Sequence, residues 1–267
     1  MSRAQAQISM TSSPKSDYTM AELMVVAASR EIKDNEIVFV GMRLPLLAFL
    51  LAKRLHAPSA VALFENGVIR ESPANELLFT MGDPPNILGA TMATSMITVM
   101  SLLQSGKVDV GFLGAGEVDK FGNLNSTLVI KQDGSKVRLP GSGGAADIAS
   151  LAGRIVTLMD HSRKRLPERV SYLTSPGYGS GPNWREQVGL VRGGADCLIT
   201  TKGILRFDSE TKEAYLDTIH ENIDLKEIIS ETGWALKTSD NLRKTSNPTD
   251  EELSVVRELD PNRFWTA

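Results

Sequence analysis

Residues 61–67 read Val-Ala-Leu-Phe-Glu-Asn-Gly. An apolar run rich in strand formers leads directly into a carboxylate, an amide and a glycine, which predicts a buried strand that ends abruptly at Glu65. In open α/β sheets, ligands bind beside the loops that leave the carboxyl ends of the strands. Asn66 can hold a carboxylate in one rotamer, and Gly67 allows a sharp turn. From these residues alone, Glu65 is a candidate for catalysis or for a structural role, in which it caps a helix or pairs with Arg70.

The segments on either side of this strand predict an α/β fold. Thr19 and Glu22 form a capping-box pattern that opens a helix to about Ile32. Residues 37–40 are a short apolar strand, and a second helix follows over residues 44–55. Strand, helix and strand in this order are typical of a parallel sheet covered by helices. We therefore expect an open, mostly parallel α/β sheet sandwiched by helices.

The remaining sequence continues this pattern after a long irregular loop from Glu71 to Asn86. The further predicted helices are 90–103, 148–152, 224–231 and 249–259, the last with its own capping box. The further predicted strands are 108–113, 154–159, 170–173, 198–201, 203–207 and 214–219, the last two joined as a hairpin. Because no internal repeat or linker is visible, we expect one domain over residues 19–267, preceded by a disordered tail over residues 1–18.

Composition excludes several classes of function. The chain has 267 residues, a formal net charge of −3 and a pI of about 5.7, which gives no electrostatic footprint for nucleic acid. Its single cysteine, Cys197, lies in an apolar run and cannot form an intrachain disulfide, which fits a reducing, cytoplasmic location. No stretch is apolar for long enough to predict a membrane span.

The common catalytic and nucleotide-binding motifs are missing from the sequence. The glycines at 114–116 follow a strand but lack the third glycine and the helix of a dinucleotide fingerprint, and no Walker loop occurs. The three histidines, His56, His161 and His220, are far apart and show no spacing that suggests a Ser-His triad. Their scatter and the single cysteine also argue against a metal site.

A second candidate site is the glycine stretch before the predicted helix at 148–152. Gly143, Gly144 and Ala145 can expose consecutive backbone N–H groups to a carboxylate, a phosphate or a developing oxyanion. Tight packing of helix against strand explains the same glycines equally well. The sequence leaves both interpretations open.

Taken together, these motifs resemble those of the family I coenzyme A-transferases, and in particular the β subunit of the glutaconate CoA-transferase type. The resemblance extends from Glu22 to about Ile228. Its landmarks are Phe-Glu-Asn-Gly at 64–67, Gly-Glu-Val-Asp at 116–119, Gly-Asn-Leu-Asn-Ser-Thr at 122–127, Gly-Ser-Gly-Gly-Ala at 141–145, Ser-Pro-Gly at 175–177 and Thr-Lys-Gly-Ile-Leu-Arg-Phe-Asp at 201–208. The Glu-Asn-Gly triplet is closer to the 3-oxoacid transferases, whereas the other motifs are closer to the glutaconate branch.

The resemblance implies an open α/β sandwich and a ping-pong exchange of coenzyme A between two carboxylic acids. A glutamate that matches Glu65 attacks the acyl-CoA thioester, and the enzyme passes through an acyl-glutamyl anhydride and a glutamyl-CoA thioester. Gly143, Gly144 and Ala145 would line the pocket as oxyanion donors. Coenzyme A would be a substrate, with no permanently bound cofactor and no metal.

Other expectations follow from the same resemblance. Asn66, Gly67 and Ser72 are weaker candidates for positioning the substrate. The family supplies the second half of its active site from an α subunit of similar fold, so we expect a heterodimer or heterotetramer with the loop from Glu71 to Asn86 at the interface. Two alternatives remain open. One is a CoA-thioester hydrolase or C–C lyase, such as a decarboxylase, and the other is a non-catalytic anion- or sugar-binding regulator.

Overall fold

The structure, a computed structural model, describes residues 17–131, 133–190 and 192–267. The predicted tail, residues 1–18, lies outside this part of the chain except for Asp17 and Tyr18. The Arg257 guanidinium donates to the Asp17 carbonyl oxygen at 2.6 Å. The described chain therefore starts against the C-terminal helix.

A single ten-stranded sheet organises the described residues. Its strands, numbered along the chain and given in spatial order, are β14 (Lys237–Lys244), β13 (Ala214–Ile219), β12 (Gly203–Phe207), β11 (Ala195–Thr200), β10 (Arg154–Met159), β5 (Val110–Leu113), β1 (Ile37–Phe39), β2 (Val61–Leu63), β3 (Val68–Arg70) and β4 (Met92–Ala93). The five central strands, from β11 to β2, are all parallel. Antiparallel strands β3 and β4 extend one side, and β12 and β13 extend the other.

Helices and two small hairpins complete the described fold. The helices are α1 (Met20–Ser29), α2 (Leu44–Leu55), α3 (Pro84–Ile87), α4 (Met96–Gln104), α5 (Ala145–Leu151), α6 (Trp184–Gln187), α7 (Leu225–Ser230) and α8 (Asp250–Leu259). The hairpins pair β6 (Glu117–Val118) with β7 (Leu124–Asn125), and β8 (Leu128–Ile130) with β9 (Lys136–Arg138).

Helices cover both faces of the sheet. Val38 and Ala62 pack into a core that contains α1 and α2, whereas the residues that follow them, Phe39 and Leu63, pack into a second core with Val99 of α4. Successive side chains of a strand point to opposite faces, so strands in which both are buried must be covered on both sides. This confirms the predicted mostly parallel α/β sheet between helices, and the chain is a single α/β domain.

Both predicted capping boxes are present. The Thr19 hydroxyl accepts the Glu22 N–H at 3.1 Å, and the Glu22 carboxylate accepts the Thr19 N–H at 2.8 Å. Thr249 and Glu252 repeat this arrangement at the start of α8. Glu22 also forms a 2.8 Å ion pair with Arg257, so the first and last described helices are joined.

The region after Glu65 departs from the sequence prediction. The chain turns back at Gly67 to form β3, a strand that was not predicted. The predicted helix over residues 90–103 contains β4 in its first part, and α4 begins only after Ser95, whose hydroxyl accepts a backbone N–H of the first turn. At the start of the predicted helix, pairing of β4 with β3 at the sheet edge therefore outweighs the local preference for a helix.

The predicted strand over residues 170–173 is also wrong. Its amides bind buried carboxylates and not a neighbouring strand, since Ser171 N–H donates to Glu117 at 2.8 Å and Val170 N–H donates to Asp119 at 3.5 Å. These acids satisfy backbone donors that a strand would have paired with carbonyl oxygens. Conversely, β14 was not predicted, because its sequence is polar and mostly exposed.

Candidate active site

Glu65 follows β2 directly, at the carboxyl ends of the parallel strands. The turn that carries it is closed by the Gly67 N–H, which donates to the Phe64 carbonyl oxygen at 3.0 Å. Gly67 has a φ of +101°, and a Cβ at this position would lie 2.3 Å from the Thr94 carbonyl oxygen. Only glycine fits both constraints. The Glu-Asn-Gly triplet is thus a tight turn that presents Glu65, half-buried, at the predicted edge of the sheet.

The Glu65 carboxylate lies against the glycine stretch that precedes α5. Its Oε1 accepts the Gly144 N–H at 3.0 Å. A Cβ at Gly143 would lie 3.5 Å and 3.7 Å from the two carboxylate oxygens, and one at Gly144 would lie 3.3 Å from Oε1. The two candidate sites of the sequence are therefore one site. The absence of a side chain at Gly144 allows the carboxylate to approach the backbone so closely, because a Cβ there would crowd both Glu65 and Met100.

The three predicted oxyanion donors differ in what their N–H groups do. The Gly144 N–H is engaged by Glu65, and the Ala145 N–H donates to the Ser142 carbonyl oxygen at 2.9 Å. The Gly143 N–H has no hydrogen-bond partner among the described residues, and this residue is exposed. Gly143 therefore offers an available donor beside the carboxylate.

The structure does not bring Asn66 or Ser72 to the carboxylate. The Asn66 amide donates to the Met81 carbonyl oxygen at 2.6 Å, so its side chain fixes the following loop and not the rotamer of Glu65. Because β3 runs antiparallel to β2, Ser72 lies toward the opposite end of the strand from Glu65. Its carbonyl oxygen accepts a hydrogen bond from Arg70.

Arg70 does not form the ion pair with Glu65 that the sequence left open. Its buried guanidinium donates to backbone carbonyl oxygens of the loop, those of Ser72, Pro73, Pro85, Asn86 and Leu88. Burial lowers the pKa of this guanidinium, which the ring of carbonyl oxygens stabilises. Arg70 organises the loop after β3, and no cationic side chain of the described residues pairs with the Glu65 carboxylate.

Two residues that sequence reasoning did not single out contact this site. The Met100 methyl group on α4 lies 2.7 Å from where a Cβ of Gly144 would be, so it packs beside the carboxylate. Ser126 contacts the start of the glycine stretch, where its hydroxyl donates to the Gly141 carbonyl oxygen at 2.8 Å. Met100 carries no sequence signal, since it is one of several apolar residues of an amphipathic helix. Ser126 belongs to the polar motif at 122–127.

The histidines form no catalytic triad among the described residues. His161 and His220 lie on two sides of Thr200, within 3.0 Å of its hydroxyl and 2.8 Å of its carbonyl oxygen. Burial, with help from the nearby Lys202 charge, lowers the pKa of His161 to about 4. Across residues 17–131, 133–190 and 192–267, no three His, Cys, Asp or Glu side chains come together as a metal site. No helix in those ranges is long and apolar enough to cross a membrane.

Comparisons with known proteins agree with this fold. A family model described as Coenzyme A transferase matches residues 21–231. One subunit of the 3-oxoadipate CoA-transferase of Pseudomonas knackmussii is 35% identical over 248 residues, 92% of this chain and 94% of that protein. The crystal structure of glutaconate coenzyme A-transferase from Acidaminococcus fermentans matches with a TM-score of 0.87 and 28% identity, over 94% of this chain and 98% of that chain. The structure of the decarboxylase AibA/AibB matches with a TM-score of 0.79 and 27% identity, over 93% of this chain and 97% of that chain.

The family match covers most of the chain and includes both segments of this candidate site. The family match contains the Glu65 turn and the glycine stretch at 141–145. The chain therefore belongs to the coenzyme A transferase family.

Proposed function

We propose that this chain, which is part of a heteromeric CoA-transferase, exchanges coenzyme A between carboxylic acids with Glu65 as the nucleophile. A Glu65 oxygen attacks the thioester carbon of an acyl-CoA, and the CoA thiolate leaves to give an acyl-glutamyl anhydride. The thiolate then attacks the Glu65 carbonyl carbon, which releases the donor acid as its carboxylate and leaves a glutamyl-CoA thioester. A second carboxylate takes the CoA by the same two steps in reverse order.

One observation carries this proposal, namely the 3.0 Å hydrogen bond between Glu65 Oε1 and the Gly144 N–H. It aims one carboxylate oxygen at the backbone and leaves the other oxygen without a described hydrogen-bond partner. We assign the Gly143 N–H, which has no hydrogen-bond partner among the described residues, as a donor to the reacting carbonyl bonded to that second oxygen. Loss of one such donor typically costs about 2.7 to 4 kcal/mol of barrier.

The chemistry also requires that water be excluded, since both covalent intermediates hydrolyse. Glu65 is only half-buried in this chain, so the proposal includes a companion subunit that covers it. Between Asp83 and Lys107 the sequence has no charged residue. This segment exposes five large apolar side chains, those of Ile87, Leu88, Met92, Met96 and Ile97.

These exposed side chains support an interface beside the site. Interfaces between subunits are depleted in charge and enriched in methionine at their centres. The segment also contains β4, whose outer edge is unpaired among the described strands, and exposed sheet edges are usually covered. Met100 links the segment to Glu65 through its contact with Gly144. We propose that this surface receives the companion subunit, next to the loop from Glu71 to Asn86.

The test is to trap the glutamyl-CoA thioester in the assembled complex. Incubation with an acyl-CoA followed by borohydride should reduce the thioester to an alcohol, with borohydride as the hydride source and CoA thiol released. Peptide mass spectrometry should find the alcohol at Glu65 and an unchanged Glu71, and activity should be lost in parallel. If Glu65 stays unmodified while CoA transfer proceeds, the nucleophile has been assigned to the wrong residue.

A second candidate function is a C–C lyase or hydrolase of CoA thioesters. It is supported by the match to the decarboxylase AibA/AibB, which has a TM-score of 0.79. With this function, CoA or carbon dioxide would be released without any acceptor acid, at a rate that rivals transfer. The third possibility, a non-catalytic regulator, does not agree with membership of a CoA-transferase enzyme family.

Substrate and location complete the proposal. Coenzyme A enters as a substrate, and the acyl groups named for the relatives, 3-oxoadipate and glutaconate, are the first to try with the complex. A cytoplasmic location is supported by Cys197, which is a free, buried thiol. We propose residues 19–267 as the functional domain.

A further inference from the structure

Two reciprocal hydrogen bonds between Ser126 and Gly141, here called the Ser126 clamp, hold the start of the glycine stretch. The Ser126 hydroxyl donates to the Gly141 carbonyl oxygen at 2.8 Å, and the Gly141 N–H donates to the Ser126 carbonyl oxygen at 2.8 Å. These residues lie at the entrance to the turn whose other end, Gly144, binds Glu65. Ser126 thus contacts the active-site turn without touching the reacting carboxylate.

Ser126 is itself held firmly. Its N–H donates to the Thr174 hydroxyl at 3.0 Å, and the neighbouring Thr127 hydroxyl shares a 2.8 Å hydrogen bond with the same group. The Thr127 carbonyl oxygen accepts the Leu139 N–H at 3.0 Å, two residues before Gly141. A clamp that is anchored on both sides can fix the position of the turn, whereas a mobile one could not.

The turn needs such support because its own sequence does not define its shape. Gly141 has a φ of +106° and Gly143 a φ of +45°. A Cβ at Gly141 would meet no atom within 4 Å, so packing does not hold the backbone there. Glycine has more backbone freedom than any other residue. Among the described residues, the side chains that hydrogen-bond to positions 141, 143 and 144 are those of Ser126 and Glu65.

These two supports differ during the reaction. If Glu65 is acylated, the carboxylate that now accepts the Gly144 N–H becomes an anhydride and then a thioester, so its bond to the turn changes at each step. The Ser126 clamp takes no part in these bond changes. Of these two described side-chain supports, it is the one that can keep the Gly143 N–H in the same place through the whole cycle.

We propose that Ser126 is a positioning residue, which holds the turn from Gly141 to Gly144 so that its backbone donors face the reacting carbonyl. This assignment rests on the proposed function of Glu65. It concerns a side chain for which the sequence motif alone indicated no role.

Kinetics of the assembled complex test the proposal. Ser126→Ala should lower kcat by at least about tenfold, because small misplacements of a reacting geometry cost this much or more, and should leave KM within about twofold. Ser126→Thr, which keeps the hydroxyl, should restore most of kcat. The matched control is Ser29→Ala, which removes a buried hydroxyl that donates to the Val26 carbonyl oxygen at 2.8 Å in α1. A fall in kcat that Ser29→Ala reproduces, or that Ser126→Thr does not reverse, would overturn the proposal.

Hydrogen exchange provides a readout that does not depend on the chemistry. In Ser126→Ala, the amides of the peptide covering residues 141–145 should exchange about tenfold faster, with no change in Ser29→Ala. If the wild-type complex transfers no CoA, the proposed function fails, and exchange still decides whether Ser126 orders the turn. Unchanged exchange in Ser126→Ala would show that it does not.

Discussion

Two glutamates follow strands of the same parallel core, and their surroundings differ sharply. Glu65, after β2, is half-buried and accepts one hydrogen bond from the described residues, that of the Gly144 N–H. Glu117, in the segment after β5, is only 4% exposed. It accepts the Asn125 amide at 2.8 Å and the Ser171 N–H and hydroxyl at 2.8 Å and 2.9 Å. Both acids therefore lie near strand ends, and they differ in the number of donors around them, which agrees with the reactive role proposed for Glu65 and a structural role for Glu117.

The contrast has a simple chemical reason. A carboxylate whose lone pairs are all taken by donors is stabilised as an anion and is a weak nucleophile. Glu117 uses its donors to join the β6–β7 hairpin to the segment at 170–175, and so supports the structure. Glu65 keeps an oxygen available and has small residues in front of it. If this interpretation is correct, replacing each acid by its amide should have opposite effects on activity and stability.

The largest expected effect is that of Glu65→Gln. Glutamine keeps the size of the side chain and can still accept the Gly144 N–H through its amide oxygen, but it has no nucleophilic carboxylate. We expect kcat for CoA transfer to fall by at least about 10⁴-fold, with the unfolding free energy changed by less than about 1 kcal/mol. Steady-state kinetics and urea unfolding of the complex measure the two quantities.

Glu210→Gln is the control for this change, because Glu210 is an exposed acid in the turn between β12 and β13, on the other side of the sheet from the proposed interface. It should leave both kcat and stability close to wild type. If Glu65→Gln kept more than a small fraction of the activity, or unfolded the protein, the distinction between the two glutamates would fail.

Glu117 is more buried than Glu65, and burial also determines the protonation of His161. Its ring nitrogens lie 3.0 Å from the Thr200 hydroxyl and 3.1 Å from the Thr232 hydroxyl, which suit a neutral imidazole. Its pKa is lowered from 6.5 to about 4, first by burial and then by the charge of Lys202. Between pH 6.5 and pH 4, the folded state binds fewer protons than the unfolded state, because His161 stays neutral only when it is folded. The contribution of neutral His161 to the unfolding free energy is therefore fully present above pH 6.5 and is lost as the pH falls toward 4.

The expected loss from His161 between pH 7 and pH 4 is about 3 kcal/mol. Urea unfolding at several pH values should therefore show a steeper fall for wild type than for His161→Gln over this window. The other titrating groups, including His220, are common to both proteins and cancel in the difference. Equal slopes for the two proteins would mean that His161 is not held neutral by its surroundings.

A third change tests how closely the carboxylate must approach the glycine turn. In Gly144→Ala, the new methyl group would lie 2.7 Å from the Met100 methyl group and 3.3 Å from Glu65 Oε1. The φ of Gly144 is −78°, which alanine adopts readily, so the effect acts through contacts and not through backbone strain. Since a shift of about 1 Å in a reacting group can cost about 10²-fold, we expect kcat to fall by about that factor.

Gly82→Ala is the control for this substitution, since the nearest atom to a Cβ there is 3.7 Å away. It should change kcat by little. An unchanged kcat in Gly144→Ala would show that Glu65 has more freedom than the structure indicates, and would weaken the contrast with the tightly held Glu117.

The sequence predicted those features whose causes are local. The capping box of Thr19 and Glu22 contains its whole interaction within four residues, so α1 was predicted at its start. The apolar run before Glu65 predicted β2 and the end at which the acid appears. By contrast, β4 depends on pairing with β3, about 25 residues earlier in the chain, and its own sequence resembles part of a helix. The short hairpin that joins β2 to β3 was not predicted, although its pairing is local.

The site could be predicted only in part for the same reason. Glu65 and the glycines at 143 and 144 were singled out separately, and the family resemblance joined them. Their hydrogen bond spans 79 positions, a distance that no spacing rule covers. The side-chain direction of Asn66 and the wall formed by Met100 follow from the packing of the loop and of α4. Such contacts are properties of the folded chain and have no local signature.

The smallest expected effect on activity is that of replacing Glu117, the buried acid of the comparison. In Glu117→Gln, the amide oxygen can still accept the Asn125 amide and the Ser171 N–H, and the new NH₂ group then faces the Ser171 hydroxyl, which must accept instead of donate. A hydrogen bond to a charged group contributes about 1.5 to 3 kcal/mol and a neutral one about 0.5 to 1.5 kcal/mol, so removing the charge weakens these bonds by about 1 to 2 kcal/mol. We therefore expect urea unfolding to show this loss, while kcat per folded complex falls far less than in Glu65→Gln. The exposed Glu210→Gln, as control, should change neither quantity. If Glu117→Gln were instead as stable as wild type and as inactive as Glu65→Gln, the buried acid would belong to the chemistry, and counting donors would not distinguish the two glutamates.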